Sequence, residues 1–149
     1  MKEFVFTTHN PQETIDLAVK LAKQLTHGVI ITLDGELASG KTTFTKGFGI
    51  GLNIEQAINS PTFTISKIYE GNYPLIHIDA YRLEGIEQEL GFEEFFNEDW
   101  MVVIEWPVYI EKLLPVNRIA VSIVVIDDTT REIKIKVPND LESMIKELA

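Results

Sequence analysis

Apolar residues recur along this chain at two periods, and the switches between them mark out its elements. Residues 3–7 alternate apolar and polar and predict a short strand. Ile15, Ala18, Ala22 and Leu25 then recur at helical spacing, and Leu21 widens the stripe. Asn10-Pro11-Gln12-Glu13 starts that helix: Asn10 is the N-cap, Pro11 the first helical residue, and Glu13 reaches back as in a capping box. Gly28 is the expected close of the helix. Val29-Ile30-Ile31-Thr32-Leu33 is a β-branched run and predicts a buried strand. Residues 41–52 predict a helix carrying Phe44 and Phe48 one turn apart. Gly47, Gly49 and Gly51 are poor helix formers there, which points to close packing or an early fraying end.

Asn59-Ser60-Pro61-Thr62 is turn-like and leads into an alternating strand from Phe63 to Tyr69. Glu70-Gly71-Asn72 signals a hairpin, with Tyr73 to Ile78 as the returning strand and Asp79 at its end. The acidic stretch that follows predicts one or two short helices. Met101-Val102-Val103-Ile104 is a fully apolar strand ending at Glu105-Trp106-Pro107. Residues 119–126 and 132–137 predict two more strands around an Asp127-Asp128-Thr129-Thr130 turn, and residues 139–148 a final helix. No repeat or linker interrupts the series. The expected fold is α/β, a single domain with a mixed, partly antiparallel central sheet flanked by helices.

At 149 residues the chain is long enough for one substantial core and too short for a second. No apolar run approaches the roughly 18 residues of a membrane span, and Met1 to Phe6 is too short and alternating for a signal peptide. With no cysteine there is no thiolate nucleophile or cysteine metal site, and a cytoplasmic location fits. The formal net charge of −10, with no evident basic face, argues against direct nucleic-acid binding. Glu84, Glu87, Glu89, Glu93, Glu94, Glu98 and Asp99 fall in one stretch free of Lys and Arg. This is either a solvated helix face or a docking surface for a basic partner, and Leu90, Phe92, Phe95 and Phe96 within it favour docking.

The most informative chemistry lies between the first buried strand and the glycine-bearing helix. Gly35-Glu36-Leu37-Ala38-Ser39-Gly40-Lys41-Thr42 fits G-x-x-x-x-G-K-[ST], the phosphate-binding P-loop pattern. Strand, loop and helix together gather consecutive backbone N–H groups and the positive end of a helix dipole around one point, which makes an anion site. Lys41 is placed to reach the β- and γ-phosphates, and the Thr42 hydroxyl to ligate Mg²⁺.

Two other apolar strands end in an acid, Asp79 and Glu105. A carboxylate at such an end beside a P-loop can hold Mg²⁺, directly or through water, or orient the attacking water. Thr62 lies where a γ-phosphate-sensing switch threonine could sit, although a simple turn threonine fits as well. His9, His27 and His77 lack metal-ligand spacing. His77 shares a strand face with Asp79 and reads as structural. No Asn-Lys-x-Asp guanine-reading motif occurs, which favours adenine.

Four motifs occur in order: Gly35 to Phe44, Ser60-Pro61-Thr62-Phe63-Thr64, His77-Ile78-Asp79-Ala80-Tyr81-Arg82-Leu83 and Glu105-Trp106-Pro107. Over nearly its whole length the chain resembles the TsaE (YjeE/YdiB) family, bacterial P-loop ATPases required for the threonylcarbamoyladenosine modification of tRNA. One departure is visible, since the family usually has glycine then alanine where Ala38 and Ser39 stand. The resemblance implies that Glu36 to Gly40, Lys41, Thr42 and Thr43 hold ATP and that Thr42 and Glu105 hold Mg²⁺. It implies that Asp79 serves hydrolysis and that Thr62 is switch-like. Thr8 would contact nucleotide near the base, with Trp106 and Arg131 close by. For Trp106 core packing fits equally, and for Arg131 an exposed strand charge. The implied activity is an ATPase that drives cycles of a TsaD–TsaB complex without forming the threonylcarbamoyl bond. A small-molecule P-loop kinase and a nucleotide-dependent binding module without turnover are the alternatives, and a kinase would need a lid for which little chain is left.

Overall fold

The computed structural model describes residues 1–60, 65–83, 91–145 and 148. Their order is β1 (Lys2–Thr8), α1 (Pro11–Gln24), β2 (Ile30–Asp34), α2 (Lys41–Gly51), β3 (Ser66–Tyr69), β4 (Leu75–Asp79), β5 (Met101–Glu105), β6 (Ile119–Val125) and β7 (Arg131–Val137). Short 3₁₀ segments lie at Ala80–Leu83, Phe92–Phe95, Pro107–Leu113 and Asn139–Leu141.

The strands form one mixed sheet in the order β1-β7-β6-β2-β5-β4-β3. β6, β2, β5 and β4 run parallel, while β1 and β7 on one side and β3 on the other pair antiparallel. β2 and β5 at the centre are largely apolar and are buried on both faces, because both faces are covered. One face packs Leu17, Leu21, Phe44 and Phe48 of α1 and α2 against Ile31, Leu33, Val103 and Val121. The other packs Ile76, Ile78, Val102 and Ile104 against Phe92, Ile110 and Leu114. β1 lies at the edge and keeps the alternation of a half-exposed strand.

Local signals account for α1. Asn10 Oδ1 accepts from the Glu13 N–H at 2.9 Å, as an N-cap should. The returning bond comes from the His9 N–H to Glu13 Oε1 at 2.7 Å, one residue earlier than in a standard capping box. The helix ends at Gln24, with Leu25 extended as its C-cap, so Gly28 does not close it. Gly28 serves close approach instead: its N–H donates to the Glu98 carbonyl at 2.7 Å, and a Cβ would fall 2.2 Å from the Trp100 carbonyl oxygen. In α2 the glycines mark close packing rather than fraying. A Cβ on Gly47 would meet the Ile15 carbonyl oxygen at 2.5 Å, so α1 and α2 touch backbone to backbone.

Two expected elements differ. The strand foreseen from Phe63 is formed at Ser66–Tyr69, and residues 61–64 lie outside the described residues. The helix foreseen over 139–148 is, among the described residues, a 3₁₀ turn followed by further i→i−3 bonds, Met144 to Leu141 and Ile145 to Glu142. Leu141, Ile145 and Leu148 are nonetheless buried. Tight turns satisfy that apolar spacing, and a segment this short takes its form from packing rather than from helix propensity. The acidic stretch is described only in part, with residues 84–90 outside the described residues. Phe92 is buried, and Phe95 and Phe96 pack on the second core, Phe95 edge-on to Trp100. These aromatics therefore belong to the core and do not support docking. Glu93, Glu94, Glu98 and Asp99 are exposed.

Candidate active site

The sheet topology brings the carboxyl ends of β2, β4, β5 and β6 to one edge, where the start of β7 and the end of β1 also lie. Ligands of α/β proteins collect at such an edge. Residues 35–40 connect β2 to α2 there, with Ala38 at φ 61° and Gly40 at φ 111°. Gly40 caps α2 without a side-chain hydrogen bond, so the first-turn N–H groups of the helix remain directed at the loop. Ala38 holds a left-handed conformation that costs an L-residue roughly 1–2 kcal/mol. The position is one where glycine fits better, and alanine occupies it all the same.

A cavity of about 280 Å³ opens against this loop. Leu37, Ala38, Ser39, Gly40, Lys41, Thr42 and Thr43 line it from one side, with Ser60, Asp79, Glu105 and Trp106 opposite. Lys41 Nζ donates to the carbonyls of Gly35 at 2.5 Å and Glu36 at 3.0 Å, and lies 4.1 Å from the centre of the Trp106 ring. Burial pushes the Lys41 ammonium below the ordinary lysine range, while the Glu105, Asp79 and Asp34 carboxylates pull it the other way. Trp106 takes a left-handed backbone at φ 58° and packs against Tyr81 and Tyr109. Ser39 Oγ is buried, with no hydrogen-bond partner among the described residues.

Asp79 and Glu105 are register partners on β4 and β5. Asp79 Oδ1 accepts from the Tyr81 N–H at 3.0 Å. Glu105 is buried, and its Oε2 accepts from His77 Nε2 at 2.5 Å. His77, which reads as a structural residue in the sequence, thus touches the site through Glu105 without lining the cavity. Its i, i+2 spacing puts it on the strand face of Asp79 but says nothing of Glu105, and Ser60 of the Ser60-Pro61-Thr62 motif stands in the cavity wall.

Arg131 and Thr8 stand further off. Arg131 Nε donates to the Ser39 carbonyl at 2.9 Å, and its Nη1 donates to the Asp127 and Thr130 carbonyls. It therefore clamps the loop to the start of β7. Thr8, the register partner of Arg131, is buried and shares a 2.9 Å hydrogen bond with Thr14, away from the cavity lining. Glu36 contributes its carbonyl to Lys41 while its residue is exposed. Thr62 lies outside the described residues.

The residues fit a magnesium–nucleotide pair better than a metal held by protein alone. No cluster of three or more His, Asp or Glu able to hold a metal occurs among the described residues. A threonine hydroxyl and one or two carboxylates beside a phosphate loop are what Mg²⁺ uses when phosphates and waters complete its shell. The N-terminal turn of α2 carries no side-chain cap, so its N–H groups are donors left for a ligand, and the Ser39 hydroxyl buried beneath the loop has no partner among the described residues.

Three comparisons bear on this geometry. A family model described as threonylcarbamoyl adenosine biosynthesis protein TsaE matches residues 8–133. The tRNA threonylcarbamoyladenosine biosynthesis protein TsaE of Bacillus subtilis strain 168 is 42% identical over 151 residues, covering 100% of this chain and 96% of its own. The protein of that description from Treponema pallidum is 35% identical over 130 residues, or 86% and 96%. The crystal structure of Bacillus subtilis YdiB superposes with a TM-score of 0.82 at 37% identity, over 99% of this chain and 94% of that one.

Proposed function

Because the chain belongs to the TsaE family of threonylcarbamoyl adenosine biosynthesis proteins, we propose that it is the Mg²⁺-dependent ATPase of that pathway, acting with a TsaD–TsaB-like complex in the cytoplasm. The observation that carries this reading is the convergence of Lys41, Thr42, Asp79 and Glu105 on one cavity against the Gly35–Gly40 loop. The loop and the α2 N-terminus offer N–H donors to phosphate oxygens. Lys41 exchanges the Gly35 and Glu36 carbonyls it now holds for phosphate oxygens, a stronger, charge-assisted contact. Thr42 and Glu105 would hold Mg²⁺, which supplies charge neutralisation at the β- and γ-phosphates. Asp79 orients the attacking water, Thr62 responds to the γ-phosphate, and Thr43 and Trp106 frame the rest of the nucleotide, while Arg131 acts through the loop it holds at the Ser39 carbonyl and Thr8 through its place beside Arg131.

The net charge of −10 supports a link to tRNA through a protein partner rather than by direct binding. Steady-state phosphate release from ATP, with and without a TsaD–TsaB assembly, tests the reading. Release that needs Mg²⁺ and rises with the assembly supports it. Absence of release under both conditions contradicts it, and phosphate transfer to a small acceptor would make the protein a kinase.

A further inference from the structure

We propose that His77 is a positioning residue for Glu105: it fixes one carboxylate oxygen so that the other is presented to the Mg²⁺–nucleotide cavity. This rests on the ATPase reading above and adds to it a residue that acts through another.

The register makes the contact. His77 precedes Asp79 by two residues on β4, so both lie on the face of the sheet that carries Leu75, Met101 and Val103. Glu105 is the β5 partner of Asp79, one strand across and on the same face. The imidazole therefore meets the carboxylate diagonally, with Nε2 2.5 Å from Oε2. A carboxylate can only accept, so Nε2 donates.

Packing alone does not explain a histidine at this position. His77 is 0% exposed, and its Nδ1 has no hydrogen-bond partner among the described residues. A buried ring nitrogen left unpaired costs free energy that a leucine or phenylalanine would avoid. The bond to Glu105 is what the imidazole provides in return. Glu105 is itself 4% exposed, so little water reaches it to hold its carboxylate in place. With Oε2 taken by His77, Oε1 is the oxygen left for the cavity that Glu105 lines. Partners that orient metal ligands in this way are common in metal sites, and their loss weakens metal affinity.

Two near-isosteric polar variants separate positioning from packing. In His77→Gln the amide N–H₂ falls near the place of Nε2 and can still donate to Glu105. In His77→Asn it falls near Nδ1 and cannot reach. Binding of a fluorescent ATP analogue is followed as Mg²⁺ is titrated, and again in EDTA. His77→Asn is expected to raise the Mg²⁺ half-saturation about tenfold or more and His77→Gln less than about threefold, with binding in EDTA unchanged in both.

Equal Mg²⁺ half-saturation in the two variants overturns the proposal. So does loss of the folded circular dichroism signal in both, which would assign His77 to packing. Wild-type protein whose analogue binding ignores Mg²⁺ contradicts the ATPase reading itself, a result distinct from the other two.

Discussion

Asp79 and Glu105 face one cavity from adjacent parallel strands, yet their surroundings differ. Glu105 is buried and tied to His77, while Asp79 is half-buried and accepts from the Tyr81 N–H just beyond its own strand. Two carboxylates in unlike environments can divide the work of holding a cation and orienting water.

Each acid should therefore matter more in the transition state than in the bound ground state. Asp79→Ala and Glu105→Ala are each expected to slow single-turnover hydrolysis by about 10²-fold or more, and to change nucleotide affinity by less than about tenfold. Near-normal rates in both variants would place the catalytic acids elsewhere.

The buried ammonium of Lys41 carries a stability cost. Its pKa in the folded protein lies below the ordinary lysine value of 10.5, so the unfolded chain holds more protons between the lowered value and 10.5. Stability then rises with pH through that window, and the cost is present in full below it. Lys41→Met should be more stable than wild type near neutrality, and its advantage should shrink as pH rises toward 10.5. Urea unfolding of both proteins across that range checks the sign, which reverses if the three nearby carboxylates outweigh desolvation.

Ala38 holds φ 61° within the phosphate loop. Ala38→Gly should relieve that strain and raise unfolding free energy by about 1 kcal/mol, measured as a higher urea midpoint at unchanged slope. A lower midpoint would mean that the entropy glycine adds to the unfolded chain outweighs the relief.

Gly47→Ala sets helix propensity against packing. Alanine is worth up to about 1 kcal/mol in a helix interior. Its Cβ would nevertheless fall 2.5 Å from the Ile15 carbonyl oxygen and force α1 and α2 apart. Overpacking of this kind costs roughly 1–3 kcal/mol. The thermal midpoint is expected to fall, and a rise would show that the helices separate freely.

Much of this arrangement can be read in the sequence because its causes are local. The P-loop pattern, the Asn10 cap, the apolar runs ending at Asp79 and Glu105, and the Glu70–Asn72 hairpin each depend on neighbours a few residues apart. What could not be read depends on pairing at a distance. The contact of His77 with Glu105 follows from β4 lying beside β5 in one particular register, and no spacing along the chain reports that. Gly28 looked like a helix stop and instead makes room for Trp100, a residue far along the sequence. The aromatics of the acidic stretch looked like a docking patch because burial on the second core is invisible until the sheet is assembled.

The central claim is that the Gly35–Thr42 loop holds nucleoside triphosphate through Lys41. Equilibrium titration of a fluorescent ATP analogue against wild type and Lys41→Ala, with matching circular dichroism, tests it most directly. Loss of a charge-assisted contact worth roughly 1.5–3 kcal/mol should weaken binding by about tenfold to a hundredfold or more. Wild-type affinity in a folded Lys41→Ala protein would contradict the account.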